Sequence, residues 1–342
     1  MRFSIGYQLP DELDSTPELC EDFSDCISDC FFSFGNEPSG RAPLGKECER
    51  EDIERLQLEE LSQIKGMGKH LTLLLNASCY GEASASVGLK DRVLSLTDRL
   101  KRELDIDAVT TASPFIAQCL KEHFKNELEI RASVNMRVGS VSAMRQLSRD
   151  FDGFYIRKEL NRRLDRIEAL KSWADENGKK LHMLANSGCI HECAFQSFHD
   201  NIIAHQQYTA RGDELNLGYP APCHGYLKSL GLVGGVAEFL AAGFVRPEEI
   251  YLYENYFSEV KLATRMHSRP RAVLAAYCRG KFKGNLLDLT EPSYSHLFRG
   301  WVLDNTKISE AWVKAAYSCD HNCTACGACE RAAASALCDF RQ

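Results

Sequence analysis

The sequence predicts an α/β protein: a (β/α)8 TIM barrel over residues 1–290, followed by a C-terminal cysteine-rich extension over 291–342. Three observations carry this. Short apolar runs alternate with longer helical patterns, which implies parallel strands joined by helical crossovers. The alternation repeats eight times, the number that closes a barrel. No Gly-x-Gly-x-x-Gly turn follows the first strand, so an open doubly wound sheet ranks second.

Taken in order, the first strand is expected at 3–9, ending at Pro10-Asp11. The second spans 26–34, rich in β-formers and closed by Gly35-Asn36-Glu37-Pro38-Ser39-Gly40. The acidic stretch 48–65 reads as a helix with Leu56, Leu58, Leu61 and Ile64 as its apolar positions. Residues 71–77 are almost continuously apolar, as in a strand buried on both faces, and a helix follows from 86 to 104. A strand at 107–112 leads to a helix at 114–124, entered through Ser113-Pro114, an N-cap and first-turn pair. A strand at 128–136 and a helix at 140–147 come next. A strand at 151–156 precedes a helix at 159–177 that Gly178 stops. The seventh strand is 180–185, and an irregular and helical section runs from 189 to about 256. The last strand is 258–264, and the closing helix 271–279.

The chain has 342 residues, 44% hydrophobic and 26% charged, an ordinary soluble globular balance. No apolar run approaches the roughly 20 residues that span a bilayer. The polar N-terminus is too short for a secretory signal, so a cytoplasmic protein is expected. A net charge of −7 disfavours a broad nucleic-acid surface. Fifteen cysteines in a reducing compartment point to metal binding or chemistry rather than disulfides.

In such barrels the chemistry sits at the C-terminal strand ends and the loops after them. Asn76, Asn135 and Asn186 close three strands; Arg157 and Glu159 follow the sixth; Lys261 and Arg265 lie in and after the eighth; Ser39 and Arg41 follow the second. Asparagine also ends strands by bonding to nearby backbone, Glu159 also suits a first-turn helix acid, and Lys261 a partner for a carboxylate. The expectation is that Asn76, Asn135, Asn186 and Arg41 bind substrate and that Glu159, His199 and Arg265 act in catalysis.

The seventh strand end reads Asn186-Ser187-Gly188-Cys189-Ile190-His191-Glu192-Cys193. Two cysteines four apart after a glycine turn present both sulfurs on one side of a short helix. Cys223, in Pro222-Cys223-His224-Gly225, is the expected third metal ligand, with Cys278 nominated as a fourth. His191 and His199 are available for coordination or proton transfer.

Near the C-terminus, Cys319, Cys323, Cys326 and Cys329 supply four thiols in eleven residues, with Ala325, Gly327 and Ala328 between them. Soft sulfur ligands select zinc or iron–sulfur clusters. Zinc sites commonly use two separated Cys-x-x-Cys knuckles, whereas one tight loop resembles a ferredoxin-type [4Fe–4S] run. One or two [4Fe–4S] clusters are expected, with zinc the alternative at the C-terminal cysteines. The first three also match the spacing of radical S-adenosylmethionine enzymes, but those carry it after an early strand.

The chain resembles the peptidase U32 family, TIM-barrel proteins first described as collagenase-like proteases. The resemblance rests on Phe32-Ser33-Phe34-Gly35 with Ser39-Gly40-Arg41, on Leu75-Asn76-Ala77, on Arg157-Lys158-Glu159-Leu160, on the Cys189/Cys193 loop and on Pro222-Cys223. It continues through Val245-Arg246-Pro247-Glu248-Glu249-Ile250, Val260-Lys261-Leu262-Ala263-Thr264-Arg265 and the stretch 280–289. It implies an iron–sulfur cluster near the top of the barrel, with Cys189, Cys193 and Cys223 matching the family's cluster cysteines. Several members take part in oxygen-independent hydroxylation of ubiquinone precursors or RNA bases, with prephenate the implied oxygen donor in some. The four-cysteine tail is not a general family feature.

Three functions are in view: a redox enzyme acting on a small molecule or peptide, a U32-type peptidase, and a non-catalytic metal-bearing partner or maturation factor. The expected partners are the substrate and an electron donor or protein partner. The proteolytic reading lacks a His-Glu-x-x-His helix or Gly-x-Ser-x-Gly elbow. Cys20, Cys26, Cys30 and Cys48 receive no role.

Overall fold

The computed structural model describes residues 1–11, 14–35, 37–40, 50–209 and 221–340. Asn36, Arg41 and Cys48 lie outside the described residues, and with them the expected substrate contact of Arg41.

The eight expected strands are all present: β1 (Arg2–Gly6), β2 (Ile27–Phe32), β3 (His70–Leu75), β4 (Ala108–Thr111), β5 (Glu129–Ala132), β6 (Gly153–Tyr155), β7 (Lys180–His182) and β8 (Glu259–Lys261). Each pairs in parallel with its neighbour in the order β7-β6-β5-β4-β3-β2-β1-β8. Just beyond β7 the ring closes, where Lys261 N–H donates to the Met183 carbonyl (3.0 Å) and Ala185 N–H to the Lys261 carbonyl (3.0 Å). The fold is a (β/α)8 barrel.

The outer helices are α1 (Thr16–Asp22), α2 (Arg50–Gly66), α3 (Val87–Leu104), α4 (Pro114–Phe124), α5 (Val141–Leu147) and α6 (Leu164–Glu176). After β7 come α7 (Gln196–Thr209), α8 (Pro222–Ser229) and α9 (Gly231–Ala241), and after β8 comes α10 (Pro270–Arg279). Their inner faces follow from the 3.6-residue period: α3 buries Leu89, Val93, Thr97, Leu100 and Leu104. Ser86 caps α3 by accepting from Leu89 N–H (3.1 Å), and Ser113 caps α4 by accepting from Ile116 N–H (3.3 Å). α1 was not anticipated, although Ser15 and Glu18 form a full capping box around it.

Strands stop earlier than their apolar runs. The run expected at 128–136 pairs only to Ala132, because the Ser133 hydroxyl accepts from Asn135 N–H (3.2 Å) and starts a 3-10 turn over Val134–Met136. The helix expected from 159 starts as a 3-10 turn over Lys158–Leu160, and α6 begins only at Leu164. Both changes put Asn135 and Glu159 in loops at the barrel mouth.

Inside the barrel, charge is paired across strands. Asp29 of β2 accepts from Thr72 of β3 (2.6 Å) and from Ser4 of β1. Arg131 of β5 holds Glu129 (2.8 Å) and reaches Glu259 of β8 (3.4 Å). The Lys261 ammonium lies 3.5 Å from the centre of the Phe31 ring and 5.2 Å from that of Tyr155. Burial lowers the Lys261 pKa and raises that of Asp29.

The extension packs onto the barrel. β9 (Trp301–Leu303) pairs antiparallel with β10 (Leu337–Asp339), and α11 (Glu310–Tyr317), α12 (Cys323–Cys326) and α13 (Ala328–Ala336) lie between them. α13 rests on α9 and buries Ala332, Ala333 and Ala336. Among the described residues, no helix is long and apolar enough to cross a membrane.

Candidate active site at the barrel mouth

One corner of the mouth is made by the loops after β1, β2, β3, β5 and β8. The Asn76 side-chain oxygen accepts from Gly40 N–H (2.9 Å), and the Asn135 amide donates to the Asn76 carbonyl (3.4 Å). Arg265 donates to the Ser39 hydroxyl (3.1 Å). A Cβ on Gly6 would stand 2.6 Å from the Arg265 Cβ, and one on Gly40 would stand 2.9 Å from the Asn135 amide nitrogen. Glycine at both places is therefore what lets these side chains approach the backbone. The structure brings Asn76, Asn135 and Arg265 together.

Glu159 occupies the next corner, 7% exposed and faced by two arginines: Arg157 at 3.2 Å and Arg137 at 3.6 Å. Burial pushes its pKa up, but its own backbone N–H and the Lys158 and Arg157 charges outweigh this, and the carboxyl shifts down. It stays ionised at neutral pH. Arg157 also pairs with Glu192 of the cysteine loop (2.9 Å).

Asn186, expected to bind substrate, lies below the mouth surface. It is fully buried: its amide donates to the Leu289 carbonyl (3.0 Å), and its oxygen accepts from Ala263 N–H (2.6 Å). Those bonds fasten the chain after Leu289 to the end of β7. Gly188 N–H then donates to the Glu291 carbonyl (3.0 Å), and a Cβ on Gly188 would fall 2.2 Å from the Pro292 carbonyl oxygen. This close crossing carries Tyr294 to the cysteine loop.

Tyr294 is fully buried, with its hydroxyl facing the Cys223 thiol. Burial raises its pKa first, and the charges that Cys189, Cys223 and Cys193 can carry raise it further, so all three thiols lie within electrostatic reach of one phenol. Burial likewise raises the thiols of Cys193 and Cys223. Cys223 opens α8, and the neighbouring His224 ring stands edge-on to Tyr294 (5.9 Å) and to His296 (5.0 Å). His199, half-buried on α7, is close enough to His224 to lower its pKa, although burial is the larger cause. Cys278 is elsewhere: it faces Cys26 near the N-terminus, with its pKa raised by burial first and by Cys26 next.

The tail cysteines form a second group. Cys319, Cys323, Cys326 and Cys329 line one cavity of about 220 Å3 together with Trp312 and residues of α9. Trp312 Nε1–H donates to the Cys329 sulfur (3.4 Å). Arg162, 8% exposed, lies over the rings of Phe244 (4.8 Å) and Trp312 (5.0 Å). It donates to the carbonyls of Phe244 (3.0 Å) and Leu240 (2.8 Å), while its third nitrogen makes no hydrogen bond.

The two cysteine loops touch. His191, between Cys189 and Cys193, stacks on His321, between Cys319 and Cys323, with ring centres 3.5 Å apart and planes 9° from parallel. Each loop holds a non-glycine residue with positive φ at this contact, Glu192 at 43° and His321 at 60°, a conformation that only a well-determined environment sustains. Sequence spacing gave no sign of Tyr294, Arg162 or Trp312 as members of the site.

Among the described residues, no three His, Cys, Asp or Glu side chains stand close enough to hold a single metal ion. No protein-family model matches the chain, and no curated protein matches it in sequence. Its structure is similar to that of the U32 peptidase Mk0906, with a TM-score of 0.55 and 16% identity over 77% of this chain and 92% of that one. An endo-β-1,4-mannanase from Cellulomonas fimi aligns at a TM-score of 0.38 and 10% identity, over 60% of this chain and 61% of that one. The second likeness is too distant to carry an argument; the first establishes that this chain has a U32-like barrel fold.

Proposed function

We propose that this protein is an iron–sulfur redox enzyme acting at the barrel mouth on an anionic small molecule or peptide. The observation that carries the reading is the convergence of Cys189, Cys193 and Cys223, from two separate segments, on the buried Tyr294 at the catalytic end of the barrel. The donor set fits the group. Three thiols are the soft ligands that iron–sulfur clusters take. Held by these three thiolates, such a group would supply one-electron chemistry at the mouth.

The chain's own residues would do the rest. Arg137, Arg157 and Arg265 supply positive charge for a carboxylate or phosphate. Asn76 holds Gly40 of the loop after β2, and Asn135 braces Asn76 through its carbonyl. Glu159 orients Arg157 and Arg137, and its lowered pKa suits an acceptor rather than a proton donor. The tail thiols would hold an accessory cluster, with the exposed Cys323 and Cys326 on the side that an electron donor reaches. Oxygen-independent hydroxylation is the reaction that the family resemblance implies.

Iron and acid-labile sulfide content, with electron paramagnetic resonance, tests this on anaerobically purified protein. Replacing Cys189, Cys193 and Cys223 by Ser is expected to remove one signal, and replacing the four tail cysteines a second. Protein that carries neither iron nor sulfide ends the reading.

Fold likeness to a U32 peptidase favours a second reading, proteolysis. It needs an activated nucleophile, yet burial raises the thiols of Cys193 and Cys223, opposite to what a cysteine nucleophile requires. Peptide cleavage by metal-free protein, lost on one Cys→Ala change, would support it.

A further inference from the structure

Between the two cysteine loops lies a cavity of about 20 Å3, lined by Glu159, Arg162, His191, Cys319, His321 and Cys329. Three of these side chains carry a buried polar atom that makes no hydrogen bond: Arg162 Nη2, Glu159 Oε1 and His191 Nδ1. Arg162 and Glu159 are more than nine-tenths buried, at 8% and 7% exposure. Arg137 stands 3.6 Å from Glu159 Oε1, an ionic contact too long to be a hydrogen bond. A buried polar atom left without a partner costs about 1–3 kcal/mol, and the three residues that carry these atoms line the same hollow.

The hollow is the right size. Roughly 10–15 Å3 holds one water, which needs two to four polar neighbours. The chemistry is also selective: the Glu159 carboxylate repels an anion, and the Arg162 guanidinium repels a cation.

We propose that this cavity binds one ordered water, which accepts from Arg162 Nη2 and donates to Glu159 Oε1 and His191 Nδ1. Glu159 and Arg162 belong to the turn after β6, and His191 to the loop after β7. Cys319, His321 and Cys329 of the extension complete the wall. The water therefore pins two mouth loops beneath the tail. It holds the oriented Glu159 carboxylate in register with the His191–His321 stack, whatever the cysteines bind.

A crystal structure of the full chain, purified anaerobically with whatever metal it carries, is the test. A water peak within about 2.7–3.2 Å of all three atoms is expected. His191→Phe keeps a ring on His321 but offers no nitrogen. In that variant the peak is expected to vanish, and backbone hydrogen exchange across residues 319–329 to quicken several-fold. A dry cavity, Arg162 and Glu159 paired directly, or unchanged exchange in the variant overturns the proposal. If His191→Phe does not fold, the wild-type density alone decides.

Discussion

Inside the barrel, the Arg131 guanidinium holds Glu129 and reaches Glu259, and the Asp29 carboxylate takes hydrogen bonds from Ser4 and Thr72. At the junction of mouth and tail, the comparably buried Arg162 meets two carbonyls and two aromatic rings, but no carboxylate among the described residues. Both regions take a cation out of water. Only the first returns it an opposite charge from the protein. The interior thus pairs its charged groups with one another and serves as scaffold. The junction leaves Arg162 Nη2, Glu159 Oε1 and His191 Nδ1 without a protein hydrogen bond, on residues that line one hollow with Cys319 and Cys329. Buried polar atoms of this kind call for a partner from outside the chain.

The sharpest way to break this comparison is to remove each cation in turn. Arg131→Met takes the buried cation from Glu129 and Glu259, leaving Glu129 only Lys180 and the His182 ring and Glu259 the Ser28 hydroxyl, at a cost of about 3–5 kcal/mol. Arg162→Met strands only neutral carbonyls, at about 1–3 kcal/mol. Urea unfolding of both variants measures the gap. Equal losses would mean that the junction is as self-contained as the interior.

A smaller effect is expected at Gly188. Its added methyl would meet the Pro292 carbonyl oxygen, and such overpacking costs about 1–3 kcal/mol. The variant should also move Tyr294 away from Cys189 and lower the iron retained by the mouth but not by the tail. Gly225→Ala on α8 is the control, because a Cβ there meets nothing within 4 Å.

How much of this could be read from the sequence follows the same division. All eight strands were legible because parallel strands buried on both faces leave continuous apolar runs, as in β3. Their C-terminal ends were not, because Ser133 and Arg157 turn the chain while the apolar run continues. The cysteine groups stood out by density alone. Asn186 looked like a pocket residue, since a strand-end asparagine reads the same whether it faces substrate or backbone. Tyr294 reaches the site only through the crossing of Gly188 with Glu291 and Pro292, about a hundred residues apart in sequence, and no local pattern encodes that. Arg162 sat unnoticed in Asn161-Arg162-Arg163, where one arginine is buried and its neighbour is not.

Acid sharpens the contrast further. Burial raises the Glu129 pKa, but hydrogen bonding from His182 and the Arg131 charge overcome it, and the net shift is strongly down. A depressed folded-state pKa means that this carboxylate stabilises above its unfolded value, about 4.3, and that the stabilisation fades as pH falls below it. Glu129→Gln is therefore expected to flatten the acid limb of the stability curve. Glu159→Gln should act with the same sign and less strongly, because Arg157 and Arg137 are partly open to water, at 26% and 35% side-chain exposure. Denaturation midpoints from pH 7 down to about 3 compare the two across that range.

The smallest effect is expected at Trp312, where the tail meets Arg162. Trp312→Phe keeps an aromatic face beneath the guanidinium but removes the N–H that donates to the Cys329 sulfur. One neutral hydrogen bond contributes about 0.5–1.5 kcal/mol, and phenylalanine is a weaker cation–π partner than tryptophan. The loss should be local. In metal-free protein Cys329 is expected to react faster with a thiol reagent, while the urea midpoint of the whole chain moves little. A large global shift would instead make α11 part of the barrel's own core, and the interior and the junction would then unfold as one unit.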